Sequence, residues 1–232
     1  MDQDVTAGQG DEARITSREQ DAVRVLLLLD GACEPVSSAD LEDPRLATAV
    51  GVLRAQLRLQ KLDFWLRNPD YLADELLNDY EASGETVLLD HAAQILESEE
   101  PEVRRYPMLR HHFGAYEPLD DALAVLRSAG LVVVRRRGTV NRIRQHDYFL
   151  LDQGRVVARD VVGQAPEFVY YVDRVRLVLD LADGLGGSGL KARQYLQREY
   201  AQTERRTRIG SVSAKARARL AEFRAAAAAG AV

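Results

Sequence analysis

Residues 106–159 constrain the fold more than any other part of the chain, because they carry three signals in a fixed order. Apolar residues at helical spacing predict a helix that Gly130 ends, since glycine readily adopts the left-handed conformation that follows many helices. The branched run at 131–134 then predicts a strand. An arginine-rich loop around Gly138 follows, and residues 147–151 predict a second strand. The apolar positions of the helix are Leu119, Ala122, Leu123 and Leu126.

Helix, strand, basic loop and strand is the order of a winged helix, in which the loop of the hairpin is the wing. The rest of the chain is helical in pattern. We therefore predict a mainly α fold with one β-hairpin: a winged helix-turn-helix core with added N- and C-terminal helices. Along the chain we predict an acidic disordered leader (1–14), a helical N-terminal part (15–100), the winged-helix segment with its basic wing (101–163), a C-terminal helical part packing on the core (164–209) and a basic, alanine-rich tail helix (210–232).

Proline marks the main helix boundary of the N-terminal part. From Leu46 the apolar pattern predicts one helix that ends at Asn68, because the residue before a proline avoids the helical region. Pro69 suits the first turn of the next helix, residues 70–80, and a further helix is predicted at 86–97. The tail helix has few large apolar residues, so we expect it to be loosely docked or free.

Charge is distributed unevenly along the chain. Residues 1–100 carry 22 acidic and 8 basic side chains, whereas residues 101–160 carry 11 arginines and 7 acidic side chains. The final segment, residues 191–232, is basic as well. This asymmetry would let a basic end meet phosphates while the acidic end faces a protein or solvent.

Several function classes are excluded by the absence of their motifs. No apolar run is long enough to span a bilayer, and residues 1–12 are acidic, unlike a signal peptide, so we expect a cytoplasmic protein. A lone Cys33 allows neither an intrachain disulfide nor a cysteine zinc cage. The pair His111 and His112 lacks further ligands at metal-binding spacing. No motif of a hydrolase, metalloprotease or dinucleotide enzyme occurs, so we predict no catalytic residue, cofactor or metal.

The wing carries the strongest functional signal, since residues 135–144 hold five arginines. Alternation along a strand lets Arg135 and Arg137 share one face, while the loop presents Asn141 at its tip. Arginine suits bidentate phosphate contacts and narrow minor grooves. A solvated hairpin whose charges prevent edge pairing is the alternative interpretation. The predicted DNA-binding residues are Arg135, Arg136, Arg137, Asn141, Arg142 and Arg144 on the wing, with Arg104, Arg105 and Arg110 extending the track.

The composition of the helix before the wing argues against DNA binding. Its predicted outward residues include Glu117, Asp120 and Asp121 against one arginine, Arg127, so phosphates would be repelled along it. The leading hypothesis is a non-catalytic winged-helix DNA-binding protein, a transcriptional regulator or an accessory of a mobile or defence operon, and operator symmetry would require a homodimer. The alternative is an adaptor or antitoxin-like subunit that docks a basic protein partner through those three acids without binding DNA.

Short segments between residues 59 and 211 resemble those of bacterial winged-helix proteins. They are residues 59–62 with Phe64, 113–116, 126–132, 148–150, 152–154 and 195–200. Their order is similar to that of the YwgA-like family and, more remotely, of the Panacea-domain antitoxin proteins. The resemblance implies a small cytoplasmic protein of helices and a winged helix, and it carries over no catalytic residues. Residues 1–45 and 212–232 lie outside it.

Overall fold

The computed structural model describes residues 17–98, 109–111, 114–116, 119–139, 142–165, 168–204, 207 and 209–230. These residues are mainly helical. The helices are α1 (Arg18–Ala32), α2 (Ser38–Leu41), α3 (Gln56–Arg67), α4 (Pro69–Ser83), α5 (Thr86–Glu97), α6 (Asp120–Ser128), α7 (Asp152–Gln164), α8 (Val169–Leu181), α9 (Gly187–Leu196), α10 (Arg198–Gln202) and α11 (Ser213–Gly230). The strands are β1 (Ala49–Arg54), β2 (Leu109–His111), β3 (Gly114–Tyr116), β4 (Val132–Thr139) and β5 (Arg142–Leu151). No helix among these residues is both long and apolar enough to cross a membrane.

A three-stranded antiparallel sheet in the order β1-β5-β4 holds the basic hairpin. Val133, Phe149 and Val52 lie side by side across it, and they face the segment between α1 and β1. Val134 and Tyr148 lie on the other face, which packs against the main core. The mainly α prediction is confirmed, but the hairpin is part of a larger sheet, and β2 and β3 form a second small one.

Strand β1 contradicts the prediction of one continuous helix from Leu46. Its sequence alternates branched and small residues, and Gly51 lies so close to α1 that an added Cβ would be 2.6 Å from the Cβ of Cys33. Ala55 then takes a positive φ of 72°, which separates β1 from α3. The prediction was wrong because a leucine of β1 happens to lie at helical spacing from the leucines of α3, so the apolar pattern continues across the boundary between the two elements.

The helix boundaries around Pro69 are as predicted. α3 ends at Arg67, Pro69 occupies the first turn of α4, and α5 spans residues 86–97. The main core lies between these helices and α1, where the ring of Phe64 meets the ring of Tyr71 edge-on with 5.2 Å between centroids.

The tail helix α11 is docked, so the prediction of a loosely attached or free helix is wrong. Its apolar residues Ala216 and Leu220 are buried, and so is Val212 just before its first turn. Ion pairs to α4 supplement this narrow face: Arg219 Nη1 lies 2.7 Å from Asp74 Oδ1, and Lys215 Nζ lies 3.1 Å from Asp74 Oδ2. These ion pairs with α4 help to hold the helix in place, which its small apolar area alone would do less well.

Candidate nucleic-acid interface

The basic hairpin is more regular than the sequence indicates. Residues 135–137 belong to β4 rather than to a loop, and Arg142 and Arg144 belong to β5. Pairing shifts by one residue beside Gly138, whose φ of 133° favours glycine, and this leaves Arg144 as an extra residue on β5. Both Arg142 and Arg144 are exposed near the end of the hairpin.

Arg135 and Arg137 share one face of the sheet, as the alternation predicts. On this face acidic side chains form ion pairs with both arginines. Arg137 Nε lies 2.5 Å from Asp147 Oδ2, and Arg135 forms an ion pair with Asp40. Arg54 from β1 joins the cluster, with its Nη2 2.6 Å from Asp40 Oδ2. Two buried carboxylates therefore hold three arginines in place, and most of the positive charge on this face is balanced within the protein.

Asp40 reaches the hairpin because its own backbone is fixed at the start of α2. Ser37 caps this helix, and its hydroxyl donates to Asp40 Oδ2 at 2.7 Å. Burial alone would raise the pKa of Asp40, but hydrogen bonds from Ser37, Arg54 and Arg135 outweigh it and hold the pKa well below its usual range. The carboxylate is therefore charged at every pH at which the protein would work.

A basic cleft with a volume of about 470 Å³ lies between α6 and the hairpin, mainly on the other face, and Arg135 also reaches its lining. Basic side chains from four parts of the chain line it: Arg45 precedes β1, Arg127 lies in the last turn of α6, and Arg136 of β4 lies opposite His146 of β5. Leu123, Val134 and Tyr148 line its apolar part.

The arginines of this cleft differ in how far their charges are balanced. Arg45 pairs with Asp43, with 2.7 Å between Nη2 and Oδ2. Arg127 and Arg136 are exposed, and neither forms an ion pair with any residue that the structure describes. Among the described residues the cleft therefore holds two guanidinium groups without an ion pair, beside the carboxylate of Asp120, and guanidinium groups suit an anion.

The predicted acidic face of α6 is present in part. Asp120 and Asp121 are exposed in its first turn, and Asp120 lines the edge of the basic cleft. Glu117 lies outside the described residues.

Other predicted contacts also fall outside the described part of the chain. They are Arg104, Arg105 and Asn141. For Arg110 the structure describes only the backbone, which lies in β2.

Arg45, Arg54, Asp40 and Asp147 are components of this region that sequence reasoning missed. Asp40 precedes Arg135 by 95 residues, and no local spacing connects them. Asp147 lies opposite Arg135 in the hairpin register, with 3.8 Å between Arg135 Nη2 and Asp147 Oδ2, so strand pairing could have indicated that one contact.

Comparisons with protein-family models, with curated proteins and with solved structures find no match for this chain. The resemblance to YwgA-like and Panacea-domain proteins stays a prediction.

Proposed function

We propose that this protein is a winged-helix DNA-binding protein, acting without catalysis as a regulator or as an accessory of a mobile or defence operon. The strand order supports the fold assignment. β1 follows α1 and pairs with β5, while α6 leads directly into the β4–β5 hairpin. In a winged helix the first strand likewise pairs with the second strand of the wing hairpin. The helices α4 and α5 would be an insertion before the recognition helix, α6.

The observation that carries the DNA-binding proposal is the contrast between two sets of arginines on and beside the hairpin. Arg135 and Arg137 are engaged by Asp40 and Asp147, and they shape the hairpin. Arg127, Arg136, Arg142 and Arg144 are exposed without ion pairs to the described residues. We call this second set the phosphate-binding arginines, because phosphates would bind guanidinium groups that form no ion pair with the described residues. Arg135 and Arg137 would contribute indirectly, because their ion pairs hold the hairpin in its conformation.

Removing two of the phosphate-binding arginines tests the proposal. The variant Arg127→Ala/Arg136→Ala is expected to weaken binding of a short fluorescein-labelled duplex by at least about tenfold, since hydrogen bonds to charged groups contribute roughly 1.5–3 kcal/mol each. The slope of log affinity against log salt concentration should fall by about two. Fluorescence anisotropy over a salt series measures both quantities.

A matched control removes the same charge elsewhere. Arg176→Ala/Arg217→Ala takes two exposed arginines from α8 and α11, away from the cleft. It should leave affinity and salt slope close to those of the unmodified protein. Equal losses in both variants would mean that net charge alone drives binding, and the cleft assignment would then be wrong.

Asp120 offers a test in the opposite direction, because its carboxylate stands at the edge of the cleft without an ion pair to a described residue. Asp120→Asn should tighten duplex binding by about two- to fivefold at low salt, since it removes a repulsion acting on nearby phosphates. The gain should shrink as salt screens the charges. Asp173→Asn, on the exposed surface of α8, is the matched control and should change nothing.

A second candidate function is a protein-docking adaptor, favoured by the two exposed acids at the start of α6. On that hypothesis a basic partner contacts Asp120 and Asp121, and Asp120→Asn weakens the complex instead of tightening DNA binding. The same substitution therefore distinguishes the two functions by the sign of its effect.

A further inference from the structure

The N-terminal ends of α3 and α9 meet, and their N-cap residues are Ala55 and Gly186, which have no side-chain hydrogen-bond acceptor. A Cβ added to Gly187, the first residue of α9, would lie 3.2 Å from the backbone nitrogen of Arg58 and 3.3 Å from the Cβ of Leu57. The first N–H groups of a helix have no partner within it, and the peptide dipoles place about half a positive charge there. Two such ends side by side therefore favour an anion between them.

Two lysines, one from each helix, add positive charge to this junction. Lys61 follows Arg58 by one turn of α3, its side chain is fully buried, and its Nζ has no hydrogen-bond partner in the described part of the chain. Long helical side chains lie over the turn before their own Cα, so Lys61 extends back toward the start of α3. Lys191 of α9 is near enough for its charge to lower the pKa of Lys61. The ammonium of Lys191 lies 5.6 Å from the centroid of the Tyr195 ring, on a flexible stem.

The acidic side chains nearest in sequence do not balance the charge of Lys61. Asp63 pairs with two buried arginines, and Glu34 pairs with Arg58, with 3.1 Å between Oε1 and Nη1. Asp183 is exposed in the turn before α9. No carboxylate of the described residues offsets the effect of burial on the pKa of Lys61. The protein therefore holds a buried cation without a counter-ion beside two helix N-termini.

We propose that the junction of α3 and α9 is a binding site for the phosphate group of a small molecule. The N–H groups of Gly187, Ser188 and Gly189 donate to the phosphate oxygens, and the ammonium of Lys191 turns to pair with its charge. Lys61 strengthens the site from within, because solvent screens a buried charge little. Ser188 is exposed and both glycines are half-buried, so a solute has access to this turn.

A small molecule suits this site better than the DNA backbone does. None of its residues lines the basic cleft, and Lys61 has no exposed surface with which to contact a duplex. One helical turn with one partly exposed lysine also matches a single phosphate group more closely than a row of phosphates. The inference goes beyond the proposed DNA-binding function and does not depend on it.

Pyrophosphate binding, measured by isothermal titration calorimetry in a chloride buffer near neutral pH, tests the site. The unmodified protein should bind one pyrophosphate per chain with a Kd of about 1 mM or tighter. Lys61→Met and Lys191→Met should each weaken binding by about fivefold or more, because each removes one positive charge. Arg217→Met, on the exposed surface of α11, is the charge-matched control and should bind as the unmodified protein does. Lys61→Met removes a buried lone charge, so it should fold and its loss of binding would not reflect unfolding.

The melting temperature gives a second readout at matched ionic strength. Pyrophosphate at roughly ten times its Kd should raise the melting temperature of the unmodified protein by about 3–5 °C and leave that of Lys61→Met nearly unchanged. An equal rise in every variant would be a general salt effect and would overturn the site, as would the absence of pyrophosphate binding to the unmodified protein. Duplex affinity, measured by anisotropy, should be the same in Lys191→Met and Arg217→Met. A greater loss of duplex affinity in Lys191→Met would assign the phosphate to DNA and overturn the small-molecule assignment.

Discussion

Replacing Asp63 with asparagine is expected to destabilise the fold by about 3–5 kcal/mol. Asp63 is buried in α3 between two buried guanidinium groups: Arg24 Nε lies 2.9 Å from Oδ1, and Arg67 Nε lies 2.7 Å from Oδ2. Burial opposes the charge on Asp63, but Arg67 and Arg24 outweigh it and hold the pKa of Asp63 below its ordinary value. Asparagine keeps the shape of the side chain and removes the charge, so two buried cations lose their shared counter-charge.

Urea unfolding, followed by circular dichroism, measures the change for Asp63→Asn against the unmodified chain. Asp173→Asn provides the control, since Asp173 forms an exposed pair with Arg176 on α8, and such pairs contribute less than about 1 kcal/mol. A loss for Asp63→Asn no larger than that of the control would contradict the buried network. The test is independent of function, because Asp63 does not line the basic cleft.

Local chemistry explains which parts of the fold the sequence predicts well. Pro69 fixes both the end of α3 and the start of α4, because its ring restricts the residue before it and its missing N–H is harmless in a first turn. Gly130, with a φ of 68°, ends the helix before β4 as expected. These features depend on a few neighbouring residues, so sequence alone identifies them.

β1 and the docking of α11 depend on distant partners and could not be predicted in the same way. The six residues of β1 become a strand because β5 pairs with them from about a hundred positions later in the chain. α11 has a weak apolar face, and its docking depends on partners in α4 that lie about 140 positions earlier in the chain, Asp74 among them. Tertiary context outweighs local propensity in both cases.

The candidate site likewise has features that the sequence predicts and features that depend on distant partners. The cluster of arginines is visible in the sequence, and alternation places Arg135 and Arg137 on one face. Which face stays available to a ligand depends on Asp40, and this residue is positioned by a separate capped turn. The cleft also requires Arg45 and α6, so its existence follows from packing.

Replacing Lys61 with methionine is expected to stabilise the protein by roughly 3 kcal/mol at neutral pH, the equivalent of its pKa shift. The side chain of Lys61 in α3 is fully buried, and its Nζ has no hydrogen-bond partner in the described part of the chain. Burial, with a smaller contribution from Lys191, lowers the pKa of Lys61 from 10.5 to about 8. Below pH 8 folding must therefore bury a charged ammonium without a counter-ion, and an unbranched apolar side chain of similar length removes this penalty.

The pH dependence of stability identifies the cause of that gain. The unfolded chain holds the Lys61 proton up to its ordinary pKa, whereas the folded chain releases it near pH 8. Between these values the unfolded state binds more protons, so the free energy of unfolding of the unmodified protein should rise with pH from about 8 to 10.5. Lys61→Met should lack this rise and begin from the higher stability, so the two curves should converge toward alkaline pH. Lys191→Met removes the smaller contribution to the shift and should keep most of the rise, because burial of Lys61 is the larger cause. Parallel curves for the Lys61→Met and unmodified proteins in urea unfolding at several pH values would show that the ammonium is not buried as a lone charge.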